Sequence, residues 1–177
     1  MSFSSIARPP ARMSITNVNT VESLEAQFNP TELEEQLATN WTRQTVPGLS
    51  HQPLQFNYVE NYKLTLELFI DGHGSAAQLD QLLRARRFLM SLCYPRRGAQ
   101  DVASGAPPRA LFVWPRVISL TTVVTSFSCK WTQFNVEGTP VQLTAKVALE
   151  EIRDVRLVSE DVLASGTLRS GARGGSS

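Results

Sequence analysis

The stretch Gln133–Glu151, QFNVEGTPVQLTAKVALEE, decides the fold because it contains one of the most regular hydrophobic alternations in the chain. Its second half is apolar at every second position, a period typical of a β-strand with one buried face. Gly138 stands where a tight connection requires a positive φ, so the stretch predicts a β-hairpin. The second strand is expected to direct Val141, Leu143, Ala145, Val147 and Leu149 inward, and Gln142, Thr144, Lys146 and Glu150 outward.

The preceding segment, Val117–Phe134, continues the β pattern and supplies the first strand of this hairpin. Apolar and polar residues alternate again, so the two faces of the strand are expected to meet different surroundings. One face is predicted to hold Val123, Phe127, Cys129 and Trp131, and the other Ser126, Ser128, Lys130 and Thr132.

A strand followed by a helix is predicted upstream of the hairpin. Tyr62–Gly72 alternates over nine residues and predicts a half-buried strand. Ser75 is a suitable N-cap with Gln78 three residues later, and Pro95 requires the helix to end by about Cys93. The helix should pack its apolar stripe on a sheet; this stripe comprises Leu79, Leu82, Leu83, Phe88, Leu89 and Leu92.

The first fifty residues give a mixed signal. Met13 and Ile15 predict a short strand, and Leu24–Phe28 a second one that stops at Asn29-Pro30. Residues 31–50 allow two readings: a helical turn capped by Thr31, or an extended arm whose Trp41 packs elsewhere.

Length and composition favour one domain of 177 residues with a flexible leader over 1–11, a β-rich domain over 12–152 and a tail over 153–177. The 19% of charged residues is below the usual share of about 25%, which hints at surface covered by other chains. The net charge of +1 provides no general surface for nucleic acid. Neither a signal peptide nor an 18-residue apolar span is present, so synthesis in the cytoplasm without a membrane span is expected.

Residues suited to catalysis are scarce. Cys93 and Cys129 are expected to be reduced and partly buried, and His51 and His73 lie in predicted loops without ligand spacing. No catalytic or phosphate-binding motif is present, so no enzyme activity, cofactor or metal is expected. Two alternatives stay open: a small β-barrel that binds a lipid or sugar, and a hydrolase with Cys129 or Cys93 as nucleophile. A binding module would use the tryptophans, although burial in the core is the favoured interpretation of Trp41, Trp114 and Trp131.

Four blocks in order resemble the tube-domain proteins of contractile injection systems. They are QFNPTE at Gln27–Glu32 followed by Trp41, LQFNYVENYKLTLELFIDG at Leu54–Gly72, PPRALFVWP at Pro107–Pro115, and WTQFNVEGTPVQLTAKVALEE at Trp131–Glu151. The last two are similar to blocks of the family that usually read P-P-x-x-x-F-x-W-G and F…x-G-T-P-x-R-A-x-x-x-x-x-x-E. Pro115 departs from the glycine that the family often has.

The resemblance implies a mainly β, phage tail-tube-like fold: a barrel of two packed antiparallel sheets with one flanking helix, assembling as a sixfold ring. It also implies a structural role in the baseplate, connecting the central spike to the inner tube, with spike, tube or tube-initiator and baseplate wedge proteins as partners. Many family members continue into a LysM domain. The Gly/Ser/Arg tail of this chain is expected to leave no room for one.

In such a ring, the strands of neighbouring copies align, and the hairpin supplies long strands for this purpose. Its assembly residues are expected to be Phe127, Trp131, Phe134, Gly138, Thr139, Pro140, Leu143 and Val147. The residues expected to line a lumen or a subunit surface are Ser126, Ser128, Lys130, Gln142, Thr144 and Lys146. Loops 42–56 and 95–109 are expected to reach adjacent rings.

Overall fold

The computed structural model describes residues 11–95 and 105–153. Most of the predicted leader 1–11, the middle of the predicted loop 95–109 and nearly all of the predicted tail 153–177 lie outside these residues. Within them are one helix, α1 (Ala76–Ser91), and nine strands: β1 (Ser14–Asn17), β2 (Ser23–Glu25), β3 (Leu33–Gln36), β4 (Thr39–Arg43), β5 (Leu54–Val59), β6 (Lys63–Asp71), β7 (Ala110–Trp114), β8 (Ile118–Phe134) and β9 (Pro140–Glu151).

Seven strands form one antiparallel sheet in the order β2-β1-β7-β8-β9-β6-β3, and β4 and β5 form a second, two-stranded sheet. The predicted mainly β fold with one helix and two antiparallel sheets is therefore confirmed. The barrel implied by the resemblance is not closed, because within the described residues the large sheet ends at β2 on one side and at β3 on the other. The outer strands of an open sheet carry unpaired backbone N–H and C=O groups along their free edges.

The core lies on one face of the large sheet. The predicted inward-facing residues of β9 are all buried, from Val141 to Leu149. They lie beside the buried residues of β6, because directly paired residues of two strands share a face of the sheet. These residues of β6 are Leu64, Leu66, Leu68 and Ile70. Helix α1 covers part of this face, where Leu82 and Ala85 pack against Ile70 and Leu143.

Helix α1 begins where the sequence predicts. The Gln78 backbone N–H donates to the Ser75 Oγ (3.3 Å), and this hydroxyl donates to the Gln78 Oε1 (3.2 Å). Gly72 lets the helix approach the end of β6 closely, because a Cβ there would lie 3.1 Å from the Leu82 Cδ1. The cap and the close approach together direct the apolar stripe of α1 onto the sheet.

Strand β8 carries two bulges that the sequence pattern does not reveal. Its register against β9 shifts at Thr125 and again at Thr132, and a third shift, between Gln133 and Phe134, leaves out Val141 of β9. A bulge adds one residue to one strand, so it reverses which face the following residues occupy. The prediction that Val123 shares a face with Phe127 is therefore wrong, and Val124 is the buried residue instead.

Residues 31–50 adopt the extended alternative. Strand β4 follows β3 after two residues, and β5 precedes β6, so the β4–β5 hairpin prolongs the β3–β6 pair beyond the large sheet. Trp41 lies on this hairpin with 51% of its surface exposed and packs edge-on against Phe56, with ring centroids 5.4 Å apart. The predicted burial of Trp41 is thus wrong, because β5 is exposed along its whole length and nothing among the described residues covers the hairpin.

The turn between β1 and β2 holds a strained valine. The buried Asn17 side chain accepts hydrogen bonds from the N–H groups of Asn19 (2.9 Å) and Thr20 (3.3 Å), which fixes the turn. Val21 follows with φ 60° and 78% of its surface exposed. A β-branched side chain is strongly disfavoured at positive φ, so the fold of the turn imposes this conformation at a local cost.

We expect Val21→Gly to stabilise the protein by about 1 kcal/mol, because glycine removes the strain at positive φ while losing more chain entropy on folding. Val18→Gly is the matched control in the same turn, since Val18 does not have a positive φ, and it should lower stability slightly. Urea unfolding of the three proteins measures the difference. A Val21→Gly protein less stable than the Val18→Gly protein would contradict the interpretation of the turn.

Candidate assembly surface

The two faces of the β8–β9 hairpin differ in chemistry. On the core face, Leu143 and Val147 are fully buried, and Phe127 and Trp131 are half-buried beside them. Phe134, at the end of β8, is 61% exposed and does not join the core. The eight predicted assembly residues therefore form two groups. Four pack in the core (Phe127, Trp131, Leu143 and Val147), and four lie at the hairpin tip (Phe134, Gly138, Thr139 and Pro140).

Trp131 also contacts α1 through a charged residue. The Arg86 guanidinium lies 6.0 Å from the centre of the Trp131 ring, within the range of a cation–π interaction. The buried Arg86 Nε has no hydrogen-bond partner among the described residues, so the ring face is the contact that balances its desolvation. This contact joins the second half of α1 to strand β8 of the hairpin.

The opposite face of the same strands is polar and uncovered by any element of the described residues. It carries all six residues predicted to line a lumen or interface, because the direct pairs Ser126–Ala148, Ser128–Lys146 and Lys130–Thr144 place them on one side. The face continues across β6, where Glu67 pairs directly with Lys146. A half-covered antiparallel sheet of this kind ordinarily faces solvent or a water-filled space.

Both ends of this uncovered region are open strand edges. Strand β7 pairs with β8 only as far as Thr122, so the β8 edge from Val124 to Phe134 has no partner strand within the described residues. At the other end, β3 covers β6 only from Lys63 to Leu66 and is itself unpaired on its outer side. The uncovered face therefore spans four strands, β8, β9, β6 and β3, with an open edge on each side.

Two backbone hydrogen bonds establish which residues direct their backbone N–H and C=O groups out of these open edges. The Glu151 N–H donates to the Tyr62 carbonyl and the Gly72 N–H donates to the Val141 carbonyl, both at 2.8 Å. Hydrogen-bonded pairs alternate along antiparallel strands, so the even-numbered residues of β6 bond to β9 and the odd-numbered ones face the other way. On β9, by the same alternation, the even-numbered residues bond to β8.

The outward-directed backbone groups follow from this alternation and the pairing registers. In β3, Glu34 and Gln36 pair with odd-numbered residues of β6, which leaves the Leu33 and Glu35 N–H groups directed to the open edge. In β8, Ser126, Ser128 and Lys130 bond to β9, which leaves Phe127, Cys129 and Trp131 with their backbone groups outward. These groups form two ready templates for a further strand.

The uncovered end of β6 is partly occupied by a side chain. The Asp71 N–H donates to the Gln27 Oε1 (2.7 Å), and the Gln27 Nε2 donates to the Asp71 carbonyl (3.1 Å). The amide thus takes the place of one residue of a neighbouring strand. Beside it, a cavity of about 20 Å³ lies between β2, β6 and α1, which is room for one water molecule and not for a lipid or a sugar.

The residues considered for chemistry are dispersed. Cys93 and Cys129 are both free and half-buried, as predicted, and burial raises the pKa of the Cys93 thiol, which disfavours the reactive thiolate. The His73 Nδ1 lies 2.6 Å from the Asp71 Oδ1 on the surface, an interaction that lowers the pKa of the Asp71 carboxyl. His51 is exposed in the loop between β4 and β5.

The three tryptophans do not form one binding platform. Trp114 packs against the main core cluster, and Trp131 packs against the cluster beneath α1. Trp41 pairs with Phe56 on the projecting hairpin. No helix among the described residues is both long and apolar enough to cross a membrane.

Comparison with known proteins assigns the family. Residues 11–159 match the family model described as contractile injection system tube protein. The chain belongs to this family. The resemblance predicted from the four sequence blocks is thereby confirmed, and a tube component is consistent with a structural role rather than an enzymatic one.

Solved structures include a similar chain from the anti-feeding prophage (AFP) baseplate, determined by cryo-EM with sixfold symmetrisation. It is 16% identical to this tube-family chain, the match covers 87% of this chain and 97% of that chain, and the TM-score is 0.35. No curated protein matches the sequence. The family assignment therefore depends on the family model.

Sequence reasoning missed the edges of this surface. Glu34 and Glu35 read equally well as a helical turn, and only their pairing with β6 makes them an edge strand. The apolar face of the β4–β5 hairpin was also hidden, although the alternation of Leu54, Phe56 and Tyr58 was a signal that identifies it in hindsight.

The turn between β8 and β9, at the tip of the hairpin, can be tested by substitution. Asn135 closes it, its Oδ1 accepting from the N–H groups of Glu137 (3.0 Å) and Thr139 (2.8 Å), and Gly138 has φ 77° as predicted. We expect Gly138→Val to destabilise the protein by about 1–3 kcal/mol and Gly138→Asn by clearly less, because asparagine tolerates positive φ.

Glu137→Val is the matched control, since it places the same side chain one residue earlier, where φ is not positive. Thermal unfolding and urea titration measure the three variants. Equal stability of Gly138→Val and Glu137→Val would show that the backbone at Gly138 is not constrained.

Proposed function

We propose that the chain is a structural component of the baseplate hub of a contractile injection particle, in which identical copies close into a ring, expected to be sixfold. The ring joins the central spike to the inner tube and meets baseplate wedge proteins. Residues 12–152 form its folded unit, and the chain is made in the cytoplasm before it enters the particle. Family membership supports the particle, and the two open edges of the uncovered face support the ring.

The observation that carries the ring is the position of the open edges. They lie at opposite ends of one four-strand region, so the β8 edge of one copy is available to the β3 edge of the next. Rotation about an axis keeps strand directions relative to that axis. Because β8 is parallel to β6 and antiparallel to β3, the joining pair is antiparallel, the more common and slightly more stable arrangement.

This head-to-tail contact is heterologous, so it closes only when the rotation per copy suits a whole number of subunits. Closure removes the exposed edges and gives the polar face of Ser126, Ser128, Lys130, Gln142, Thr144 and Lys146 a common interior. The assembly role of the hairpin residues is then indirect for most of them: they hold β8 and β9 on the core so that the edge of β8 stays straight and available.

The β4–β5 hairpin suits contact with another layer of the particle. Trp41, Leu54, Phe56 and Tyr58 are each about half exposed. The Asn57 Nδ2 donates to the Asn40 Oδ1 and the Thr42 Oγ1, each at 2.7 Å. An isolated two-stranded hairpin is only marginally stable in water. We assign its apolar side to the neighbouring spike or tube layer, in agreement with the expectation for loop 42–56.

Removal of one outward N–H group tests the ring. We expect Glu35→Pro to abolish ring formation while the copy still folds, because the Glu35 N–H faces the open edge and makes no bond to β6. Glu35→Ala keeps the N–H group and is the matched control. Burial, and next the hydrogen bond and charge of the Glu35 carboxylate, raise the pKa of Tyr62. Both variants lose this carboxylate, so its loss does not distinguish them.

Sedimentation velocity and negative-stain microscopy compare the wild type and both variants, and circular dichroism checks their folding. Rings for Glu35→Ala together with folded monomers for Glu35→Pro are the expected result. Rings in both variants would contradict pairing through the β3 edge.

A further inference from the structure

Charges on the uncovered face are distributed unevenly between its two edges. The β3 side holds three carboxylates, Glu32, Glu34 and Glu67, which line one shallow cleft with Lys146. The β8 side holds Lys130, which is exposed and has no carboxylate in its cross-strand pair with Thr144. None of these five residues forms an ion pair of 4.0 Å or less within the described residues.

The acidic side keeps a surplus after its two lysines, Lys63 and Lys146, are counted. Lys146 lies directly across from Glu67, so these two charges offset one another across the pair. Glu34 pairs with Thr65, which offers no cation. Lys63, the next residue on this face of β6, is engaged by the Glu60 carboxylate at 2.9 Å. A strip formed by Glu32 and Glu34 therefore remains negative at one edge, and Lys130 remains positive at the other.

We propose that Lys130 of one copy contacts the strip of Glu32 and Glu34 on the next copy, and that this contact determines which edges join. The inference rests on the ring proposed above, whose rotation brings the β8 edge beside the β3 edge with their uncovered faces continuous. The occupant of the acidic strip is thus a second copy of this chain. Charge complementarity of this kind contributes mainly to the choice of partner and the rate of association.

The pairing registers place the two groups at compatible heights. One row across the sheet runs Ser126, Ala148, Thr65 and Glu34, and the next runs Ser128, Lys146 and Glu67, with Glu32 beyond. Lys130 lies one row further along. In a ring without stagger Lys130 is therefore diagonal to Glu32, about 7–8 Å between backbones, a span that a lysine side chain covers.

The contact also discriminates against incorrect joining. Two β3 edges that meet would bring four carboxylates together, and two β8 edges would bring two lysines together. Like charges placed side by side are repulsive, so both symmetric pairings are disfavoured. Head-to-tail joining alone combines opposite charges, and only this joining leads to a ring.

A charge-exchange series in the full chain tests the inference. We expect Lys130→Glu, and separately the double variant Glu32→Lys with Glu34→Lys, to require about a tenfold higher concentration for ring formation. The protein with all three substitutions should regain ring formation to within about threefold of the wild type. Arg116→Glu, in the exposed β7–β8 turn, makes the same change in net charge as Lys130→Glu and should have no effect.

Mass photometry over a concentration series, repeated at low and high NaCl, supplies the readout. The defect of Lys130→Glu should shrink at high salt, because exposed charges are screened. The proposed contact is wrong if the triple variant assembles as poorly as Lys130→Glu and the double variant do. It is also wrong if the Lys130→Glu protein assembles like the wild type.

The two proposals fail in different ways. If the wild type forms rings that Glu35→Pro abolishes while the charge series shows no coupling, the ring stands and the Lys130 contact is wrong. If the wild type stays monomeric at every concentration, or if Glu35→Pro assembles like Glu35→Ala, the ring through the β3 edge fails and the contact fails with it.

Discussion

The structure depends on the alternation of strand β9. This strand lies inside the sheet, pairs with β8 and β6 over nearly its whole length, and turns five apolar residues to the core. Helix α1 finds its place only because this apolar face is available next to that of β6. The same alternation leaves the other side of β9 polar, so the packing of the core and the chemistry of the uncovered face have a single origin.

The monomer contains features that limit indiscriminate strand pairing. Natural proteins blunt open edges with short strands, charges and bulges. Here β3 has four residues and two carboxylates, β8 has bulges at Thr125 and Thr132, and the Gln27 amide occupies the end of β6. In the proposed ring, these features leave the edges accessible to the matching strand of the next copy and disfavour other strands.

Long regular elements were predictable from the sequence, and the irregular ones were not. Strands β6 and β9, the cap of α1 at Ser75 and the turn at Gly138 all follow from local periodicity and turn chemistry, and they agree with the structure. The prediction that Val123 shares a face with Phe127 is wrong because of the bulge at Thr125, since an added residue has no local signature in an alternating run. Strand β3 and the exposure of Trp41 depend on pairing with distant residues, so the open edges of the surface came from the structure alone.

The bulges of β8 have a consequence for how the chain tolerates changes in length. Extra residues are already accommodated in β8, which has an open edge, whereas β9 pairs with β6 in one unbroken register from Gln142 to Glu150. Inserting a single residue into β9 would turn its remaining core residues to the polar face that the proposed ring encloses. It would also turn the polar residues of that face into the core. Homologues that differ in length are thus expected to vary in the turns and in β8, and to keep the span of β9 constant.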